Sequence, residues 1–145
     1  MTQILQIKTD KPEFLHKDLT EQIIIAFYNV YNNLGFGFLE KVYENALFME
    51  LRSMGVFCVK QHPIKVYYNT QIVGEYFADM IVNESVIIEL KAAEAIAEGH
   101  ELQLINYLKA TDMEIGLLLN FGKSAQFKRK IFTNDIKKLH LSKSA

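Results

Sequence analysis

The sequence predicts one α/β domain, a mixed β-sheet flanked by helices. Three observations carry that expectation. Its 145 residues, half of them hydrophobic and 23% charged, suffice to bury a core in one domain and exclude a globally disordered chain. Apolar residues recur at helical spacing over 18–54 and again over 98–110. Short apolar runs bounded by turn residues fill the segments between and after, giving the order α-α-β-β-β-β-α-β-β.

Residues 1–17 are mixed in character, contain Pro12, and read as a loose arm or one short strand. Asp18-Leu19-Thr20-Glu21 has the spacing of a capping box, with an N-cap oxygen three residues before a Glu. The helix that follows presents Ile24, Phe27, Tyr28, Tyr31 and Leu34, and Gly35 fits its left-handed C-terminal cap. A second helix is expected over 38–54, with Leu39, Val42, Tyr43, Ala46, Leu47, Glu50 and Leu51 at three- and four-residue intervals, ended by Gly55. Residues 56–61 read as a strand stopped by Pro63. Strands over 64–68 and 72–82 join at Asn69-Thr70-Gln71, and a tight turn at Asn83-Glu84 leads into a strand over 85–91. A helix over 98–110 is expected to bury Leu102, Ile105 and Leu108. Strands over 115–120 and 126–132 complete the set. The expected domain is 18–133, followed by a basic tail over 134–145.

Charge is balanced overall, at −1, but not along the chain. From Lys123 onward seven basic residues face one acidic residue, Asp135, so that segment carries +6 and the remainder −7. Cys58 is the only cysteine, which excludes an internal disulfide and a cysteine-rich zinc site and leads us to expect a cytoplasmic protein. There is no signal-peptide pattern, and the apolar run 23–27 is far too short to span a membrane.

The chemistry concentrates in Asp79 and in Glu89-Leu90-Lys91. Side chains alternate on a strand, so Glu89 and Lys91 share a face. Asp79 lies on the preceding strand of the same hairpin, about as far from the turn as Glu89, so the two carboxylates can sit side by side. Adjacent carboxylates repel unless a cation lies between them, and a hard divalent ion suits the pair. Lys91 can reach the same spot to hold an attacking water or to neutralise charge building on a phosphate. A solvated strand end with a surface Glu–Lys pair is the plainer reading of these three residues.

Asp79…Glu89-x-Lys91 after a β-hairpin resembles the PD-(D/E)xK nuclease superfamily. Gly37-Phe38-Leu39-Glu40-Lys41-Val42-Tyr43 is similar to the GxxExxY signature of one of its small families, and Gln103…Tyr107 to the QxxxY motif of its RecB-like branch. The resemblance runs from about Thr20 to Phe132, with Ala78 where the superfamily often has proline. It implies a restriction-endonuclease-like fold and metal-dependent phosphodiester hydrolysis, with DNA as the expected substrate. It implies that Asp79, Glu89 and the Leu90 carbonyl ligate Mg²⁺ or Mn²⁺ and that Lys91 positions or activates the water. Glu40 would reach the metal or its water shell, and Gln103 and Tyr107 would orient Lys91 or contact the phosphate backbone.

Each motif residue also has a structural reading. Glu40 is a favourable first-turn carboxylate, Tyr43 a packing residue whose hydroxyl finds a partner, Gln103 a surface residue and Tyr107 a core aromatic. His100 reads as a helix-start residue and Cys58 as an inert core thiol. Gly35-Phe36-Gly37 follows a helix and lacks a third glycine, so it reads as a helix–helix turn rather than a dinucleotide loop. Lys128, Arg129 and Lys130 are candidates for nonspecific phosphate contacts, or form a solvated face. The alternative function is a noncatalytic module that uses a nuclease scaffold to bind nucleic acid or protein, including as a homodimer. Hydrolysis of another phosphoester, such as a nucleotide, is a third.

Overall fold

The computed structural model describes residues 15–137. The expectations for the N-terminal arm up to residue 14 and for the tail from 138 lie outside those residues. The elements are α1 (Lys17–Leu34), α2 (Glu40–Ser53), β1 (Cys58–Tyr68), β2 (Gln71–Val82), β3 (Val86–Lys91), α3 (Glu98–Lys109), β4 (Ile115–Phe121) and β5 (Ala125–Ile131), then a 3₁₀ turn at Asn134–Ile136. Five strands form one sheet in the order β1-β2-β3-β4-β5. Only β3 and β4 pair in parallel. Their connection must therefore cross the sheet, and α3 supplies the crossover.

The sheet is covered on both faces. On one face α1 and α2 bring Ile23, Phe27, Tyr43, Leu47 and Leu51 against Met80, Ile88, Leu90, Leu117 and Leu119. On the other, Leu104, Tyr107 and Leu108 of α3 pack on Ile64, Ile81, Ile87 and Leu118. Alternate residues of β3 and β4 thus serve opposite cores, which is why both strands are buried along almost their whole length. The α/β class and mixed sheet are those expected, in a restriction-endonuclease-like arrangement. Among the described residues no helix is long and apolar enough to cross a membrane.

Several local expectations are corrected. The two strands expected over 56–61 and 64–68 are one, because β1 runs through Pro63. β1 is an edge strand, where a missing N–H costs no ladder bond. The capping box does not form. Helix α1 begins at Lys17 after His16, which has φ 52 and caps with no side-chain bond. Arg129 donates to the Leu15 carbonyl at 2.8 Å and Lys17 pairs with Glu21, so tertiary contact and an i,i+4 pair set this start.

Helical faces are rotated from expectation as well. Ile23, Ala26, Phe27 and Val30 are the buried apolar residues of α1, while Tyr28 is exposed. Leu39, which caps the start of α2, and Val42 within it face solvent. On α3 the buried residues are Leu104, Tyr107 and Leu108, and Leu102 is exposed. The two turns hold: Asn69, Thr70, Asn83 and Glu84 all have positive φ, as tight hairpin turns require.

Candidate active site

The site lies where the sheet opens. Pairing between β2 and β3 runs from Val82↔Val86 to Met80↔Ile88 and then stops. The next backbone donors turn to side chains instead. Asp79 N–H donates to Glu89 Oε2 at 2.9 Å, and Leu90 N–H donates to Asp79 Oδ2 at 2.8 Å. Each carboxylate thus replaces a ladder acceptor on the opposite strand, which keeps the backbone satisfied while the strands separate. The other neighbour of β2 is irregular at the same level. β1 pairs through Lys60↔Met80 and His62↔Ala78, with Gln61 between them at φ 53. Ala78 and Ile81 both join the α3-side core although three residues apart, which a regular pleat forbids. The strand therefore rotates at Asp79.

Burial makes this cluster electrostatically costly. Glu89 is only 4% exposed. Desolvation first, and then the Asp79 charge, push its carboxyl up to about 8. Desolvation also holds the Asp79 carboxyl above its ordinary range, against the opposing Leu90 hydrogen bond. Lys91, partly exposed on the same strand, favours the ionised form of both acids. It forms no ion pair among the described residues.

Helix α2 adds a residue that the sequence reading missed. Glu44 is 5% exposed and accepts from Gln61 Nε2 at 3.0 Å. The same Gln61 amide lies 3.5 Å from Asp79 Oδ1. Lys41 pairs with the outer Glu44 oxygen at 3.1 Å. Glu44 stands four residues after Glu40, so both project from one helical face. That i,i+4 carboxylate pair was the available signal. Glu40 is exposed at the start of α2, and its charge raises the Glu89 carboxyl slightly further.

Tyr43 positions the beginning of α2. Its hydroxyl donates to the Gly35 carbonyl at 2.7 Å and accepts from Phe38 N–H at 3.2 Å. Its ring stacks on Phe121 with centroids 4.3 Å apart. Gln103 Nε2 donates to the Tyr107 hydroxyl at 2.9 Å. The Tyr107 phenol is raised chiefly by burial and then by the Glu89 charge. His100 receives the Ala97 N–H on Nδ1, the helix-start role expected of it. Cys58 is buried in the core, and burial pushes its thiol up.

A second missed residue fixes the loop after Lys91. Asn120 is fully buried, and its amide both accepts from Ala93 N–H and donates to the Ala93 carbonyl, each at 2.9 Å. A polar residue inside the apolar run of β4 was its sequence signal. Gly122 packs so closely beneath this loop that an added Cβ would collide with the Ala93 carbonyl. Asn120→Ala is expected to cost about 2 kcal/mol in urea unfolding, since it leaves both Ala93 groups unpaired.

The three residues of the basic trio have different surroundings. Arg129 is turned to the Leu15 carbonyl and Lys130 is paired with Glu101. Lys128 is exposed.

A sequence profile described as the PD-(D/E)XK nuclease superfamily matches residues 17–131. The chain belongs to that superfamily. Its signature letters are met here by Asp79, Glu89 and Lys91, with Ala78 in the proline position. A solved structure described as "Crystal structure of SSO0001" aligns with a TM-score of 0.44 and 17% identity, over 81% of this chain and 59% of that one. The chain therefore spans less than two thirds of that protein's length. The comparison with curated proteins returns no match.

The donor set fits the divalent ion that this superfamily generally uses. Among the described residues no three His, Cys, Asp or Glu side chains converge as a complete cage. The buried Glu89 and partly buried Asp79, with no ion-pair partner among the described residues, nevertheless present the hard oxygens that Mg²⁺ prefers, and that ion characteristically completes its shell with water.

Proposed function

We propose that the protein is a metal-dependent nuclease that hydrolyses phosphodiester bonds in DNA. The observation that carries this reading is the split between β2 and β3. A scaffold whose role was binding alone would gain by closing that ladder. Here a buried acid, Glu89, and a partly buried one, Asp79, stand side by side at a cost that a cation would offset. Gly37, Glu40 and Tyr43 with Gln103 and Tyr107 support the GxxExxY family and the RecB-like branch as the finer placement.

In this reading Asp79, Glu89 and the Leu90 carbonyl hold Mg²⁺ or Mn²⁺, with Glu40 reaching its water shell. The bound ion supplies Lewis-acid polarisation of the phosphate and acidifies the attacking water. The chain's own residues do the rest. Lys91 orients that water and balances charge on the phosphate. The Asp79 and Leu90 N–H groups lock the carboxylates in place. Gln61 and Glu44 fix the free side of Asp79, and Gln103 with Tyr107 borders the phosphate path.

The test pairs thermal unfolding with cleavage. Millimolar Mg²⁺ or Mn²⁺ is expected to raise the wild-type midpoint, as any ligand of the folded state must. Asp79→Ala should lose both that shift and cleavage of DNA while staying folded. Full activity in Asp79→Ala would overturn the assignment.

A further inference from the structure

A groove of about 720 Å³ lies between the β1–β2 hairpin and α3. The hairpin reaches beyond β3, because β2 begins at Gln71 while its pairing with β3 starts only at Met80. Tyr76 stands on that extension, half-exposed, with its ring 5.8 Å from the ring of Tyr107. Leu102, Gln103, Asn106 and Lys109 line the groove from α3, Ala110 from just after that helix and Val66 from β1. The lining thus combines two tyrosines, two primary amides, three apolar side chains and one cation.

We infer that this groove takes an unpaired nucleobase next to the scissile phosphate, so that the substrate is single-stranded nucleic acid. The inference rests on the nuclease reading above and deepens it. Each feature of the lining has a matching part in one nucleotide. A flat base stacks on tyrosine regardless of its identity, and base–aromatic stacking is a main source of affinity for single strands. The amides of Gln103 and Asn106 can pair with base edges, which are accessible only outside a duplex. Lys109 offers the backbone a counter-charge.

Placement agrees with composition. Tyr76 precedes Asp79 by three residues, about 10 Å along a strand. Tyr107 packs with Ile87 and Ile81, each two residues from one of the acids. Tyr107 thus joins the wall of the groove to the strands that carry the two acids. It also accounts for the exposure of Leu102: a residue at a core-like position of the helical pattern faces the groove instead.

The experiment uses the full chain carrying Lys91→Ala, with Mg²⁺ present, so that strands stay whole. The probes are 12-mer DNA strands with 2-aminopurine at successive positions, single-stranded or annealed. Quenching at one position, single-strand affinity at least tenfold above duplex, and a loss of about tenfold or more in Tyr76→Ala are expected. Equal affinity for both forms, unmoved by Tyr76→Ala, would overturn the inference. So would concentration-dependent dimerisation abolished by Tyr76→Ala without any effect on strands, because the groove would then seat a second copy. The nuclease reading is scored separately, by cleavage in the wild-type chain. Quenching without wild-type cleavage would overturn that reading and keep the base site, whereas no binding of any strand would overturn both.

Discussion

Lys91→Ala is expected to slow phosphodiester cleavage by about a thousandfold, within the range for losing a positioned proton-transfer or charge-stabilising group. Mg²⁺ binding should survive. The reason lies in where Lys91 sits. It follows Glu89 by two residues on one strand and stabilises the ionised form of both acids, yet forms no ion pair among the described residues. Its ammonium is therefore near the reacting centre without being consumed by a structural partner. Because it is partly exposed, truncation should change the unfolding midpoint little. Lys91→Arg separates two roles. Arginine keeps the charge but cannot exchange a proton near neutral pH. Rescue by arginine would mean that charge alone matters, and failure would point to the water. Single-turnover rates at saturating Mg²⁺ are the measurement, and an unchanged rate in Lys91→Ala would remove this residue from the chemistry.

Much of this site was legible because it is built from local rules. Strand alternation placed Glu89 with Lys91, and two turn residues, Asn83 and Glu84, put Asp79 across the hairpin at the right level. Those rules need no knowledge of the rest of the chain. What escaped was decided by tertiary context. Pro63 is a strand breaker only where its N–H would be needed, and the sequence does not say which strand becomes the edge. Leu102 fits a buried helical stripe equally well by spacing, but α3 meets the sheet through Leu104, Tyr107 and Leu108. The capping signal at Asp18 was real as a pattern but lost to the Arg129–Leu15 contact, which joins residues 114 positions apart. Glu44 and Asn120 are buried polar residues whose partners, Gln61 and Ala93, come from other elements. The basic trio shows the same limit: adjacency in sequence on a strand sends neighbours to opposite faces.

Metal-free stability is expected to fall as pH rises from about 5 to about 9, and Mg²⁺ to offset the fall. Glu89 ionises near its ordinary 4.5 when unfolded but is pushed up to about 8 when folded. Below the lower value both states hold the proton and the group contributes nothing. Between the two values the unfolded chain releases a proton that the folded chain keeps. The unfolded state then binds fewer protons, so stability declines with pH, and above about 8 the penalty is complete and flat. Each unit of difference corresponds to about 1.4 kcal/mol, so the total is a substantial part of a small domain's stability. Asp79 acts in the same direction. A metal must displace the Glu89 proton to bind, so its apparent affinity should drop by about tenfold per pH unit below that point. The midpoint shift at fixed Mg²⁺ should therefore be small near pH 6 and large near pH 8.5, by linkage. Glu89→Gln isolates this group. It retains an oxygen for the Asp79 N–H, so it should fold, flatten the pH slope, gain stability over wild type in alkali and lose the Mg²⁺ shift. A Mg²⁺ shift that is equal at both pH values in the wild type, or that survives in Glu89→Gln, would show that the ion binds elsewhere. A wild type with no alkaline decline would show that the folded chain tolerates both charges without a cation, and the physical case for a metal between the strands would fail with it.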